Sequence, residues 1–101
     1  MGAAFALLLD SLYPDAFDRI VLFYGGSGAD LAESKAKFQA HYGENDDWEP
    51  LEKVKQMQSV NARIYTYPNV AHWFFESDRP EHYRADAAAL AWDRTLQFLH
   101  P

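Results

Sequence analysis

Two residues in the second half of the chain have the types and the order needed to move a proton. Asp46 closes the stretch Gly43-Glu44-Asn45-Asp46, and His72 closes Tyr67-Pro68-Asn69-Val70-Ala71-His72. A carboxylate that orients an imidazole, with the imidazole as general base, is two-thirds of a hydrolase triad. The third member would be a nucleophile. With no cysteine in the chain, a thiol is excluded within these residues. The serine option is Gly25-Gly26-Ser27-Gly28-Ala29, which fits the G-x-S-x-G elbow except for Ala29. Ser27, Asp46 and His72 follow the chain order nucleophile, acid, base. Yet an elbow should feed a substantial buried helix, and the short polar segment Ala29 to Ser34 is a poor one; a glycine turn is the plainer reading.

Each candidate also has a structural alternative. Asp46 could cap a following helix, and His72 could be a packed histidine tied to a backbone carbonyl. Asp47 is the nearest rival for the acid. A zinc site from His41, Asp46 and His72 is conceivable, but no two of these share ligand spacing on one element. His41 falls on a strand, and His82 and His100 on a surface helix, so none of the three is assigned a role. Trp48, Trp73, Phe74 and Phe75 could line an acyl pocket, although aromatic residues near strand ends are more commonly core.

The elements that would position these groups follow from hydropathy. Gly2 to Leu12 is apolar almost all round and predicts a helix covered on more than one side. Arg19 to Tyr24 is a continuous apolar run stopped by Gly25-Gly26, as expected of a strand buried on both faces of a parallel sheet. Ala36 to Tyr42 alternates, with Ala36, Phe38, Ala40 and Tyr42 on one face and Lys37, Gln39 and His41 on the other, predicting a half-exposed strand. Pro50 suits the first position of a helix to about Val60, with Leu51, Val54 and Met57 inward. Ala62 to Tyr67 forms a third strand, and a last helix is expected from Pro80 to Leu99. On it Tyr83, Ala87, Leu90, Ala91, Arg94 and Phe98 share a face, while Trp92, Leu96 and Leu99 point elsewhere. Strands alternating with helices imply an α/β fold, about three mostly parallel strands with flanking helices. Asp46 and His72 then lie at the carboxyl ends of successive strands, where sites form in open α/β sheets.

At 101 residues and 49% hydrophobic composition the chain is read as a single domain, residues 1–101. A net charge of −6 argues against nucleic acid or an anionic membrane surface as partner. The opening MGAAFALLLD has no Lys or Arg before its apolar run and is too short to span a bilayer, so it reads as a buried helix. Ala6, where Ser or Thr is required, fails the myristoylation pattern. The absence of cysteine fits a cytoplasmic protein.

HYGENDDWEP, YPNVAHWFFE and ALAWDRTLQFL, together with the strand VLFYG, resemble the C-terminal half of the dienelactone hydrolase family. The resemblance covers essentially the whole chain but about half of a family member, and implies a partial α/β-hydrolase fold. It implies a small-molecule carboxylic ester or lactone as substrate, no cofactor, Asp46 as triad acid and His72 as triad base. It also aligns Met1 and Gly2 with the last two positions of the nucleophile elbow and Ala3 to Leu9 with the helix after it. The nucleophile would then be the residue before Met1, and the chain alone is expected to be inactive. A non-catalytic α/β remnant is the alternative. Either way, a strand edge or helix face left open favours a homo-oligomer, with twofold symmetry expected.

Overall fold

The computed structural model describes residues 2–13, 15–25, 31, 34–46, 48–78, 81 and 83–100, and the side chains of Gly2 and Ala4 are left aside. Six elements follow one another: α1 (Gly2–Leu12), β1 (Arg19–Phe23), β2 (Lys37–Gly43), α2 (Leu51–Lys55), β3 (Ala62–Tyr67) and α3 (Ala85–Leu99). The strands form one parallel sheet in the order β1-β2-β3. Its register pairs Ile20 with Phe38 and Phe38 with Ala62, and ends with Gly43 opposite Tyr67.

The pleat sends alternate residues of β2 into two different cores. Phe38, Ala40 and Tyr42 pack with Leu22, Val54, Met57 and Ala62, and Ala3, Ala6 and Leu7 of α1 close that side. On the other side Tyr67, Val70 and Phe74 pack with Ala87 and Ala91 of α3, joined by Phe23, Tyr24, Tyr65 and Phe75. The result is three layers, with α1 and α2 on one face and α3 on the other.

Several expectations change. β2 is not half-exposed: as the central strand it is buried from Phe38 to Gly43, and α3 covers the face that carries Gln39 and His41. β1, expected to be buried on both faces, is largely half-buried, with only Leu22 fully enclosed. Among the described residues nothing pairs with its outer edge. α1 is covered on its inner side alone, leaving Phe5 61%, Leu8 51% and Leu12 61% exposed.

α2 ends at Lys55 rather than near Val60, with Pro50 preceding it as N-cap instead of opening it. Val54 and Met57 still point inward. The chain leaves the helix because Asn61 is held elsewhere: its amide donates to the carbonyls of Leu31 (2.6 Å) and Ser34 (3.1 Å). The last helix starts at Ala85, since Arg84 is extended and its N–H is spent on Phe74 O (3.0 Å). Its buried face is Ala87, Ala88, Ala91 and Thr95, with Leu90 exposed. His100 lies just past its end as the C-cap. Among the described residues no helix is long and apolar enough to cross a membrane.

Candidate active site

The carboxyl ends of β2 and β3 lie side by side, and the turns beyond them are laced together. Glu44 N–H donates to Tyr67 O (2.9 Å) and Asn45 N–H to Val70 O (2.9 Å). Gly43 permits this approach. A Cβ there would sit 2.4 Å from Val70 O and 2.8 Å from Ala71 O, inside any allowed contact. The glycine at 43 therefore has a steric cause: the loop that carries His72 lies directly on it.

Asp46 and His72 meet as expected. His72 Nδ1–H donates to Asp46 Oδ2 over 2.6 Å, with the carboxylate side chain fully buried and the imidazole 16% exposed. The other oxygen, Oδ1, accepts from the backbone N–H of Trp48 (2.8 Å) and Glu49 (3.1 Å). Asp46 thus satisfies the turn and orients the histidine at once, so the capping role does not compete with the second one. A proton on Nδ1 leaves the His72 Nε2 lone pair as the proton acceptor, without a partner among the described residues. That is the tautomer a general base requires.

Aromatic rings frame the imidazole. Trp48 lies 4.6 Å from it between centroids, Tyr24 5.0 Å and Trp73 5.2 Å. Of the four aromatics singled out in the sequence, Phe74 is fully buried core and Phe75 packs against Phe23 and Trp92. Trp48 and Trp73 stand beside the imidazole. Tyr24, which sequence reasoning did not single out, joins them. Tyr24 and Trp73 have φ of 45° and 61°, a region that bulky side chains enter at a cost of about 1–3 kcal/mol and that is concentrated at functional sites.

His41 takes no part. It lies under α3 with Nδ1 accepting from Tyr67 Oη (2.8 Å) and Nε2–H donating to Gln39 Oε1 (2.8 Å). Burial, aided by the nearby Arg94 charge, lowers its pKa to about 4. Both nitrogens being engaged, it cannot join Asp46 and His72 around a metal. Ser27, Asp47 and His82 lie outside the described residues.

The start of α1 reaches this same end of the sheet. A Cβ on Gly25, just past β1, would come within 2.6 Å of Ala3 Cβ. Tyr42, whose hydroxyl donates to Gly25 O, ties that glycine to β2. Burial, with Glu49 and Asp46 nearby, raises the Tyr42 pKa well above the usual phenol range.

Comparison with known proteins bears on the fold and the family. No curated protein matches the sequence. Among solved structures, a candidate dienelactone hydrolase from Klebsiella pneumoniae subsp. pneumoniae superposes with a TM-score of 0.68 at 21% identity. The match covers 80% of this chain and 41% of that one, so the likeness establishes the fold over less than half of the larger protein. The sequence matches the dienelactone hydrolase family over residues 1–101. On that match, with the α/β fold beneath it, the chain belongs to the dienelactone hydrolase family.

Proposed function

We propose that this chain supplies the acid and the general base of a carboxylic ester or lactone hydrolase, with the nucleophile contributed from outside residues 1–101. The 2.6 Å hydrogen bond from His72 Nδ1 to the buried Asp46 carboxylate carries the reading. In the reaction His72 Nε2 takes the nucleophile's proton as it attacks the carbonyl carbon, and returns it to the departing alkoxide. Asp46 holds the imidazole in the tautomer that accepts at Nε2 and stabilises the imidazolium that forms. The closeness of Ala3 to Gly25 supports the placement of the nucleophile ahead of α1: the start of that helix lies against the residue just past β1.

The coding sequence upstream of codon 1 tests this directly. An in-frame G-x-S or G-x-C ending there is expected, and a chain that includes it should hydrolyse p-nitrophenyl acetate in a way that His72→Ala abolishes. Residues 1–101 alone should show no turnover above buffer. If they turn over substrate and both His72→Ala and Ser27→Ala abolish it, the nucleophile is Ser27 and the reading of an outside nucleophile is wrong.

A second reading, a non-catalytic unit that self-associates, draws support from the exposed Phe5, Leu8 and Leu12 of α1 and from the outer edge of β1, which pairs with nothing among the described residues. A twofold dimer could form through either surface. Light scattering at micromolar concentration should then report twice the chain mass, and a monomer would exclude it.

A further inference from the structure

The chain carries a net charge of −6, yet its three strands hold Arg19, Lys37 and Arg63 and no acidic residue. All three cations stand at the amino-terminal edge of the sheet, the end opposite Asp46 and His72. Arg19 opens β1, Lys37 opens β2 and Arg63 is second in β3. The register sets Arg19 beside Lys37 and Arg63 beside Gln39, so the pleat turns all three side chains to the face that α3 covers. β2 runs about 20 Å from Lys37 to Gly43, which keeps this edge apart from the candidate active site.

A cleft of about 300 Å³ opens here, among the starts of β2 and β3, the turn before β3 and the last turn of α3. Lys37 and Arg63 line it with Gln58, Val60 and Phe98, and no acidic side chain among the described residues does. Neither cation makes an ion pair among the described residues. Arg63 lies 5.3 Å from the centre of the Tyr65 ring and Arg94 lies 4.1 Å from the same centre. Two guanidinium charges thus share one ring, and an anion beside Arg63 would relieve their repulsion. Gln58 spends its Oε1 on the Ile64 N–H (2.9 Å), which leaves the amide N–H groups as donors. The carbonyl end of α3 would repel an anion, but Arg19 takes it up by donating to Phe98 O. Positive charge and hydrogen-bond donors therefore line one side of the cleft, and the Phe98 ring forms an apolar wall.

We propose that this cleft is a binding site for a small organic carboxylate, its head group held by Arg63 and Lys37 and its hydrocarbon part against Phe98. The planar fork of Arg63 matches a carboxylate through two parallel hydrogen bonds, and Lys37 adds a second charge. The site is independent of the acid–base reading of Asp46 and His72 and lies at the other end of the sheet.

Three probes titrated into the ¹⁵N-labelled 101-residue chain test it: benzoate, its neutral isostere benzamide, and inorganic phosphate, an anion with no apolar body. Benzoate should shift the amide signals of Lys37 and of Gln58 to Arg63 saturably, and bind about tenfold more tightly than either comparator. Raising sodium chloride to about 0.5 M should weaken benzoate severalfold and leave benzamide unchanged. Arg63→Gln and Lys37→Gln, both at exposed positions, should each remove most of the preference. Arg63→Lys should keep part of it, and His72→Ala should leave it whole. Equal affinity for benzoate and benzamide, phosphate binding as tightly as benzoate, a preference that survives Arg63→Gln, or larger shifts at Asp46 and His72 than at Arg63 would each overturn the site. Benzoate bound here in a chain whose longer form hydrolyses nothing would uphold the cleft and remove only the hydrolase reading.

Discussion

His41 and His72 stand on neighbouring parts of the same sheet and have opposite chemical lives. His41 is in the middle of β2, fully buried, with both ring nitrogens committed and rings of Phe23 and Tyr65 stacked against it at 4.9 and 5.6 Å. His72 lies beyond the end of β3, partly open, with one nitrogen bound to a carboxylate and the other without a partner among the described residues. A histidine whose two nitrogens are both satisfied indoors is part of the fold. One that keeps a lone pair at a strand end is available for proton transfer. Residue type is the same in both; what differs is how many hydrogen bonds the surroundings complete.

The comparison can be broken first at His41. Replacing it with alanine strips Tyr67 and Gln39 of their partner and opens a cavity, which should cost about 3 kcal/mol or more. Urea unfolding at pH 7 would measure it, and a loss under 1 kcal/mol would mean that the buried network carries little of the fold.

Acid should attack the same residue. The folded protein holds His41 near pKa 4 against the ordinary 6.5, so between those values the unfolded chain binds a proton that the folded one does not. The stabilisation is complete above pH 6.5 and is lost as pH falls toward 4, by on the order of 3 kcal/mol. The groups facing the ring are Tyr65, Tyr67, Gln39, Thr95 and Arg94, none of which gains a compensating negative charge in that window. The urea midpoint should fall from pH 7 to pH 4, and His41→Gln should flatten that part of the profile.

Gly43→Ala strikes at the other histidine without touching it. The added methyl meets Val70 O, so the loop must lift, at about 2 kcal/mol by analogy with overpacked cores. The hydrogen-bonded Nδ1 proton of His72 should disappear from its low-field NMR position even where the domain stays folded. The smallest effect on stability is expected from His72→Ala, about 1 kcal/mol, because Asp46 Oδ2 loses its partner while Oδ1 keeps its two backbone N–H donors. A loss as large as that at His41 would erase the distinction between them.

Much of this was legible in the residues, and the failures share a cause. Ala62–Tyr67 and Gly2–Leu12 are found where hydropathy and punctuation put them. The Asp46–His72 pair was legible because a strand-end site requires little more than two turns of the right chemistry. The burial of β2 was not. Gln39 and His41 carry the polar signature of a solvent face, but they are matched inside by Tyr67 and by Arg94 O. Alternation cannot tell a polar side chain facing water from one facing a partner. Long-range contacts also trimmed the helices, through the amide of Asn61 and the N–H of Arg84, which no local pattern encodes.

The pair of backbone bonds that laces the turn after β2 to the turn after β3 has a consequence for how the gene can vary. Glu44 to Tyr67 and Asn45 to Val70 act as a ratchet that counts residues. One codon inserted or deleted between Gly43 and Asp46, or between Tyr67 and His72, would rotate the carboxylate or the imidazole out of line. The connection from α1 to β1 carries neither the carboxylate nor the imidazole, and changes of length there should leave the pair in line.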